Sequence, residues 1–259
     1  MQNENSGVKK PRVYKLKIDR LPATQMTYKI FPKAAKLPVS VDLRTMFPEV
    51  YDQGELGSCT ANALCGVYEF ETKDEKVDIG FKPSRLFLYY NERKLEGTIN
   101  EDSGAYLSDG VRAMKVYGLC SEKDCPYVIR NFTVKPSTLA YKNALQHRVI
   151  TSSNIRQDIT SMKTSIFNKN PFVVGISVYE SFESDEVAST GYVPMPDTDN
   201  EMLLGGHAIA VVGYTSTHWI CRNSWGKEWG DKGYFYLPIM YLLDSALSSD
   251  LWNISKIVK

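Results

Sequence analysis

DQGELGSCTANALCGVYEFE, residues 52–71, joins two kinds of sequence. Up to Ser58 it is punctuated by Gly54 and Gly57, which permit a tight approach loop with little side-chain bulk. From Cys59 onward it carries helix formers, with apolar residues at 61, 64, 65, 67 and 68. The reading is a loop that runs into a helix N-terminus at Cys59, with the Ser58 hydroxyl as the expected cap. Cysteine reacts as its thiolate, and the positive end of a helix draws the thiol below its usual pKa of about 8.5. Taken alone, Cys59 also reads as an inert packing thiol, the commoner fate of a cysteine in apolar surroundings.

Two further stretches change the balance. His207 follows Gly205-Gly206 and opens an apolar run, so it has little bulk before it and can face a cleft; alone it reads as a satisfied core histidine. Asn223 ends another apolar run, in Arg222-Asn223-Ser224-Trp225-Gly226, where its side-chain oxygen can accept from an imidazole N–H; alone it reads as a turn residue. All three bland readings must hold together for a nucleophilic site to be absent.

Working outward, helices are expected at Pro83–Glu92, at Leu107–Tyr117 with Gly118 as its stop, at about 136–146 and at Ile155–Asn168. After these the pattern turns to strands at Phe172–Val178, His207–Tyr214, Trp219–Asn223 and Gly233–Pro238. Helices first and strands later predict an α+β protein with a helical lobe at about 45–140 and a sheet lobe at about 145–259. Residues 1–36 are polar and basic and read as an extension, with the alternation at Val13–Ile18 suited to one edge strand.

The motifs resemble those of the papain family of cysteine peptidases. Gln53-Gly54-Glu55-Leu56-Gly57-Ser58-Cys59 is similar to the family's Gln-Gly-x-Cys-Gly-Ser-Cys, Gly205-Gly206-His207-Ala208 to its histidine motif, and Asn223-Ser224-Trp225-Gly226-Lys227-Glu228-Trp229-Gly230 matches Asn-Ser-Trp-Gly-x-x-Trp-Gly. His207 lies 148 residues after Cys59. The likeness begins near Leu37-Pro38 and covers about 37–259. It implies a two-lobed fold, a helical lobe carrying the nucleophile against an antiparallel sheet or barrel lobe, with a cleft between. It also implies a thiol protease, an endopeptidase, in which Cys59 attacks, His207 is the base, Asn223 orients it and Gln53 completes the oxyanion hole. Trp225 would shield the His207–Asn223 bond and Trp229 would line the leaving-group side. Gly104 is the candidate for binding substrate backbone, and Gly206 leaves an open pocket beside the histidine.

The chain departs from the pattern in two places. Leu56 replaces a cysteine, which removes a disulfide that ties the cleft loop in secreted relatives. Thr60 replaces the usual aromatic, so another group must fill its space. The 36 residues before Leu37 are shorter than a helical propeptide; as a short pro-segment they would lie in the cleft and inhibit, or else pack elsewhere as a strand. With only three histidines, His147, His207 and His218, no paired-histidine loop blocks the cleft.

Composition bounds the rest. The 259 residues carry 31 basic and 30 acidic side chains, a net charge of +1, so no steering toward nucleic acid or an anionic membrane is expected. A polypeptide substrate, a monomeric chain and no cofactor or metal are expected; no cysteine pair has C-x-x-C spacing. The N-terminal stretch has no apolar run, so no secretory leader is expected and a reducing, cytoplasmic setting is favoured, with all five cysteines reduced. Cys120 and Cys125 are near enough in sequence to pair, but that compartment argues against it. The competing functions are a catalytically silent binding protein on the same scaffold and an acyl-transferring enzyme, which would use a carboxylate where Asn223 stands.

Overall fold

A computed structural model describes residues 12–18, 28, 36–76 and 79–257. The helix expected from Cys59 is α1, Cys59–Asp74, and nearly every residue of it is buried, including Asn62, Glu71 and Thr72. A helix buried on all sides must lie between other elements. On one side stand α2, Arg85–Glu96, and α3, Leu107–Val116. Ser84 caps α2 by accepting from the Phe87 N–H, and Gly97 ends it in the left-handed region, the start and stop chemistry of a helix. A short α4, Thr138–Ala144, packs Ala140 and Ala144 with Phe87 and Cys120 in a small separate cluster.

On the other side of α1 is the sheet. Its strands are β1, Val41–Asp42; β2, Val149–Asn154; β3, Phe172–Tyr179; β4, Leu203–Tyr214; β5, His218–Arg222; β6, Tyr234–Pro238; and β7, Ser248–Ile257. The order is β2-β7-β3-β4-β5-β6, with β1 on β4, and every pairing is antiparallel. Helices α5, Ile159–Phe167, α6, Asp185–Thr190, and α7, Ile239–Leu243, lie in its connections. One core cluster takes in α1, α2, α3 and the sheet, from Leu64 and Tyr68 to Val174, Val212 and Phe235. The fold is α+β and two-lobed, as expected.

The differences from expectation have local causes. The sheet is open and not a closed barrel, because β2 and β6 end the order unpaired to each other. β4 begins four residues before His207, since paired backbone does not require an apolar side chain, and Gly205 and Gly206 pair with Val178 and Ser177. The fifth helix begins at Ile159, not Ile155, because Asp158 accepts from the Ser161 N–H and sets the start there. β2 and β7 carry Ser, Thr and Asn where apolar alternation would have marked a strand. The Val13–Ile18 alternation does not add an edge strand: residues 12–18 run between the lobes, and Lys17 forms an isolated bridge with Tyr106 of the helical lobe. The other residues of 1–36, apart from Tyr28 and Lys36, fall outside the described residues. Among the described residues no helix is long and apolar enough to cross a membrane, and all five cysteines are free.

Gly118 tests the boundary of α3. It sits at φ +74° with the space of a Cβ only 1.9 Å from the Ala144 carbonyl oxygen. Gly118→Ala combines a disfavoured backbone region with a clash that backbone must absorb, for a cost of about 2–4 kcal/mol. The expected result in differential scanning calorimetry is a melting temperature lower by about 5–10 °C.

Candidate active site

Each of the three motifs delivers its side chain to the junction of α1 with the sheet. Cys59 opens α1 and is fully buried. Its sulfur accepts the backbone N–H of Ala208 in β4, besides N–H groups of the helix start, which sets it one residue from His207 along the strand. Ser58 does not cap the helix, contrary to expectation. Its hydroxyl meets Tyr127 Oη at 2.6 Å and accepts from Asn62 Nδ2 at 3.0 Å.

His207 and Asn223 meet directly. The register that sets Ala210 opposite Arg222 carries Asn223, one residue past β5, back alongside the histidine. His207 Nε2 lies 2.9 Å from Asn223 Oδ1. An amide oxygen only accepts, so Nε2 carries the proton and Nδ1 presents a lone pair. That Nδ1 is buried and has no hydrogen-bond partner. Asn223 Oδ1 also accepts from the Ser224 N–H at 2.8 Å, which locks the amide. Trp225 stacks on the imidazole with centroids 4.9 Å apart, and Trp229 abuts Trp225 edge-on at 4.8 Å. Phe182 stacks on Trp229.

Gln53 is 1% exposed and is tied to the same segment. Its backbone N–H donates to the Ser224 carbonyl at 2.9 Å, and its Oε1 accepts from Ser224 Oγ at 2.5 Å. With the oxygen so held, Nε2 points into the loop before Cys59, donating to the Leu56 carbonyl at 3.0 Å and keeping its second hydrogen. The loop itself is held by Asp102, whose Oδ1 accepts from the Gly57 N–H at 3.0 Å and from Tyr89 Oη at 2.5 Å.

The space beside Thr60 is filled by Glu92, a residue that sequence reasoning missed. Thr60 Oγ1 donates to Glu92 Oε2 at 2.8 Å, and both side chains are fully buried. The other oxygen, Oε1, lies against Gly110 of α3, 2.6 Å from where a Cβ would stand. Burial pushes the Glu92 carboxyl up to about 8, against the Thr60 hydrogen bond; Glu96 and Asp109 add to the rise and Arg93 opposes it. The one signal in the sequence was a small residue where the motif usually has a large one.

Residues 12–18 lie over the site as a strap. The Leu16 N–H donates to the Gly206 carbonyl at 3.0 Å and the Lys17 N–H to the Ala105 carbonyl at 3.1 Å. The Lys15 carbonyl crosses Gly104, at φ +68°, where a Cβ would stand 1.6 Å from that oxygen. Gly206 likewise faces Leu16, with a Cβ position 2.7 Å from its carbonyl oxygen. Tyr14 packs edge-on against His207 and Trp225. Arg12 lies 4.1 Å over the Trp225 ring and pairs with Glu183. Thus Gly104, Gly206 and the Trp225–Trp229 pair, named separately from the sequence, line one groove around this segment.

With residues 12–18 in place, burial dominates the electrostatics of the site. Burial pushes the Cys59 thiol up to about 12, a rise that the Ala208 N–H and the N–H groups of the helix start only partly offset. Burial pulls His207 down to about 4, against the Asn223 hydrogen bond, and the Arg12 charge lowers it further. The helix terminus expected to favour a thiolate is present, but desolvation outweighs it.

The family model described as papain family cysteine protease matches residues 37–241. The chain is 40% identical over 216 residues to the uncharacterized peptidase C1-like protein of Acanthamoeba polyphaga mimivirus, covering 80% of this chain and 69% of that one. It is 30% identical to cysteine proteinase 3 of Entamoeba histolytica, with 84% and 67% covered. The crystal structure of xylellain, a cysteine protease from Xylella fastidiosa, superposes with a TM-score of 0.87 at 37% identity, over 96% of this chain and 98% of that one.

The Glu92 carboxyl yields a pH test. It titrates higher in the folded chain, about 8, than at its ordinary 4.5. Its stabilising contribution is therefore complete below pH 4.5 and is lost as the pH rises through about 8. Glu92→Gln keeps an acceptor for Thr60 and cannot ionise. Thermal unfolding should show wild type losing stability relative to that variant between pH 5 and pH 9, whereas Glu92→Ala should cost about 2–4 kcal/mol at pH 5, a deficit that narrows as the pH rises because alanine cannot ionise either.

Proposed function

The chain belongs to the papain family of cysteine proteases and is a cysteine-type peptidase, and from that premise we propose that Cys59, His207, Asn223 and Gln53 hydrolyse peptide bonds as an endopeptidase held latent by residues 12–18. The observation that carries this reading is the His207–Asn223 hydrogen bond, which leaves Nδ1 bare and buried beside the strand residue that holds the Cys59 sulfur.

In the open groove, His207 Nδ1 takes the Cys59 thiol proton and the thiolate attacks the scissile carbonyl carbon. Charge developing on the carbonyl oxygen is received by the Cys59 backbone N–H and the second hydrogen of Gln53 Nε2. The imidazolium then gives its proton to the leaving amine, the C–N bond breaks and a thioester remains. Water, deprotonated by the same nitrogen, attacks the thioester and releases the acid and the thiol. Asn223 holds the ring, and Trp225 covers the hydrogen bond from water. Glycine at 104 and 206 lets the substrate backbone approach as closely as the strap does.

The strap acts in two ways. It occupies the groove, and by excluding water it keeps the thiol and imidazole uncharged, since an ion pair would be desolvated on both sides. A His207 pKa below its ordinary 6.5 means that the strapped form binds its proton poorly. The stability this contributes is present above pH 6.5 and lost as the pH falls through about 4, so acid weakens the strapped state.

The experiment compares the full chain with protein starting at Leu37. At pH 7, alkylation of Cys59 by iodoacetamide should be at least about a hundredfold faster without the strap, and only the strap-free protein should cleave protein and internally quenched peptides. Cys59→Ala should abolish cleavage, and Gln53→Ala should lower kcat by about 10²–10³-fold. An unreactive Cys59 in both forms would sink the reading in favour of a silent scaffold, and amine incorporation without hydrolysis would favour acyl transfer.

A further inference from the structure

The strap also reports which side chains the groove accepts. Lys15-Leu16-Lys17 lies beside Cys59, between the loop at Gly57 and the segment Asp102–Tyr106. The Lys15 stem runs along Gly57, where a Cβ would stand 2.9 Å from Cδ. Its ammonium donates to the Asp102 carbonyl at 2.6 Å and to Asp102 Oδ2 at 2.8 Å. Leu16 is 8% exposed and fills an apolar slot floored by Gly175 and Gly206. The Lys17 ammonium pairs with the Glu96 carboxylate, with Ser103 Oγ at 3.4 Å and the Tyr106 ring centroid at 5.5 Å.

Neither carboxylate depends on the strap for its position. Asp102 Oδ1 is held by the Gly57 N–H and by Tyr89 Oη. Glu96 Oε1 accepts from the Tyr106 N–H at 3.0 Å, and its side chain is 5% exposed. When the strap leaves, both carboxylates stay in place, partly desolvated and without the lysine each was paired to, with Arg93 the remaining cation that Asp102 feels. An anion fixed in that state favours whatever ligand returns a positive charge to it. The spacing is basic, apolar, basic, which reads the same in either chain direction, so a substrate can present this triplet whichever way the strap runs.

We propose that Asp102 and Glu96 are specificity-determining residues that select polypeptide segments carrying two basic side chains around one apolar residue on the acyl side of the cleaved bond. The residue beside the bond meets Asp102, next to Gly57. The apolar residue takes the Leu16 slot, and the second basic residue meets Glu96 and the Tyr106 ring. This rests on the groove being a peptidase site, and the test keeps the two apart.

The enzyme starting at Leu37 is given quenched peptides in which Lys, Arg, norleucine and Glu are exchanged singly at the two outer positions around a fixed leucine. Norleucine keeps the stem and removes the charge. Replacing either lysine by norleucine should lower kcat/KM by about tenfold, and Glu should lower it further. Asp102→Asn should remove the discrimination only at the position beside the bond, and Glu96→Gln only at the outer one. Raising salt from 0.1 M to about 1 M should flatten both preferences. Hydrolysis of the whole set within twofold overturns the proposal and leaves the peptidase reading standing, as does a preference that survives in both variants. Because the wild-type comparison uses substrates alone, misfolding of a variant does not remove the test. If no peptide or protein is cleaved, the peptidase reading falls, and the specificity proposal falls with it.

Discussion

The packing of the first turn of α1 against β4 is the constraint on which the rest of the site depends. It brings a helix N-terminus, with its free N–H groups, to the middle of an antiparallel sheet, so that the Cys59 sulfur meets a strand N–H and not solvent. β4 is the strand best able to receive it, because β3, β5 and β1 all pair with it and hold it on both edges. With β4 fixed, the position of His207 follows, and the register of β5 brings Asn223 to it. A shift of one residue in that register would turn the amide to the other face.

Around this junction the chain uses hydrogen bonds to hold the cleft loop. With leucine at 56, the loop is held by Asp102 on the Gly57 N–H and by Gln53 on Ser224. The Gln53 oxygen anchors the side chain, and its nitrogen donates to the Leu56 carbonyl in the loop before Cys59. Thr60 and Glu92 do the same beneath the helix, replacing aromatic volume by a paired hydroxyl and carboxyl. A buried pair of this kind holds geometry well but carries the pH sensitivity of its acid.

In the proposed latent form the filled groove acts on the chemistry of the residues as well as on their access. In the proposed mechanism the thiol at the helix start and the imidazole beside the amide need solvent to form an ion pair, and the strap would exclude it. The same segment leaves three cations on three carboxylates, at Glu183, Asp102 and Glu96. The segment is thus bound by charge and by one buried leucine, with few backbone hydrogen bonds of its own.

Much of this was legible in the chain before any coordinates. Spacing and composition distinguished loop from helix at Cys59, helical from strand halves, and Gly118 as a stop. The three motifs named Cys59, His207, Asn223 and Gln53, because reactive groups need particular neighbours close along the chain and those neighbours leave a local signature. Only the tertiary structure decided that Ser58 bonds Tyr127 and Asn62 instead of capping, that the sheet stays open, that Glu92 fills the space at Thr60, and that Lys15 and Lys17 meet Asp102 and Glu96. Apart from Asn62, one helical turn from Ser58, those partners lie about 30 to 90 residues apart. No local pattern encodes a pairing over such distances; it is set by which surfaces the fold brings together and by the cost of leaving a buried polar group alone.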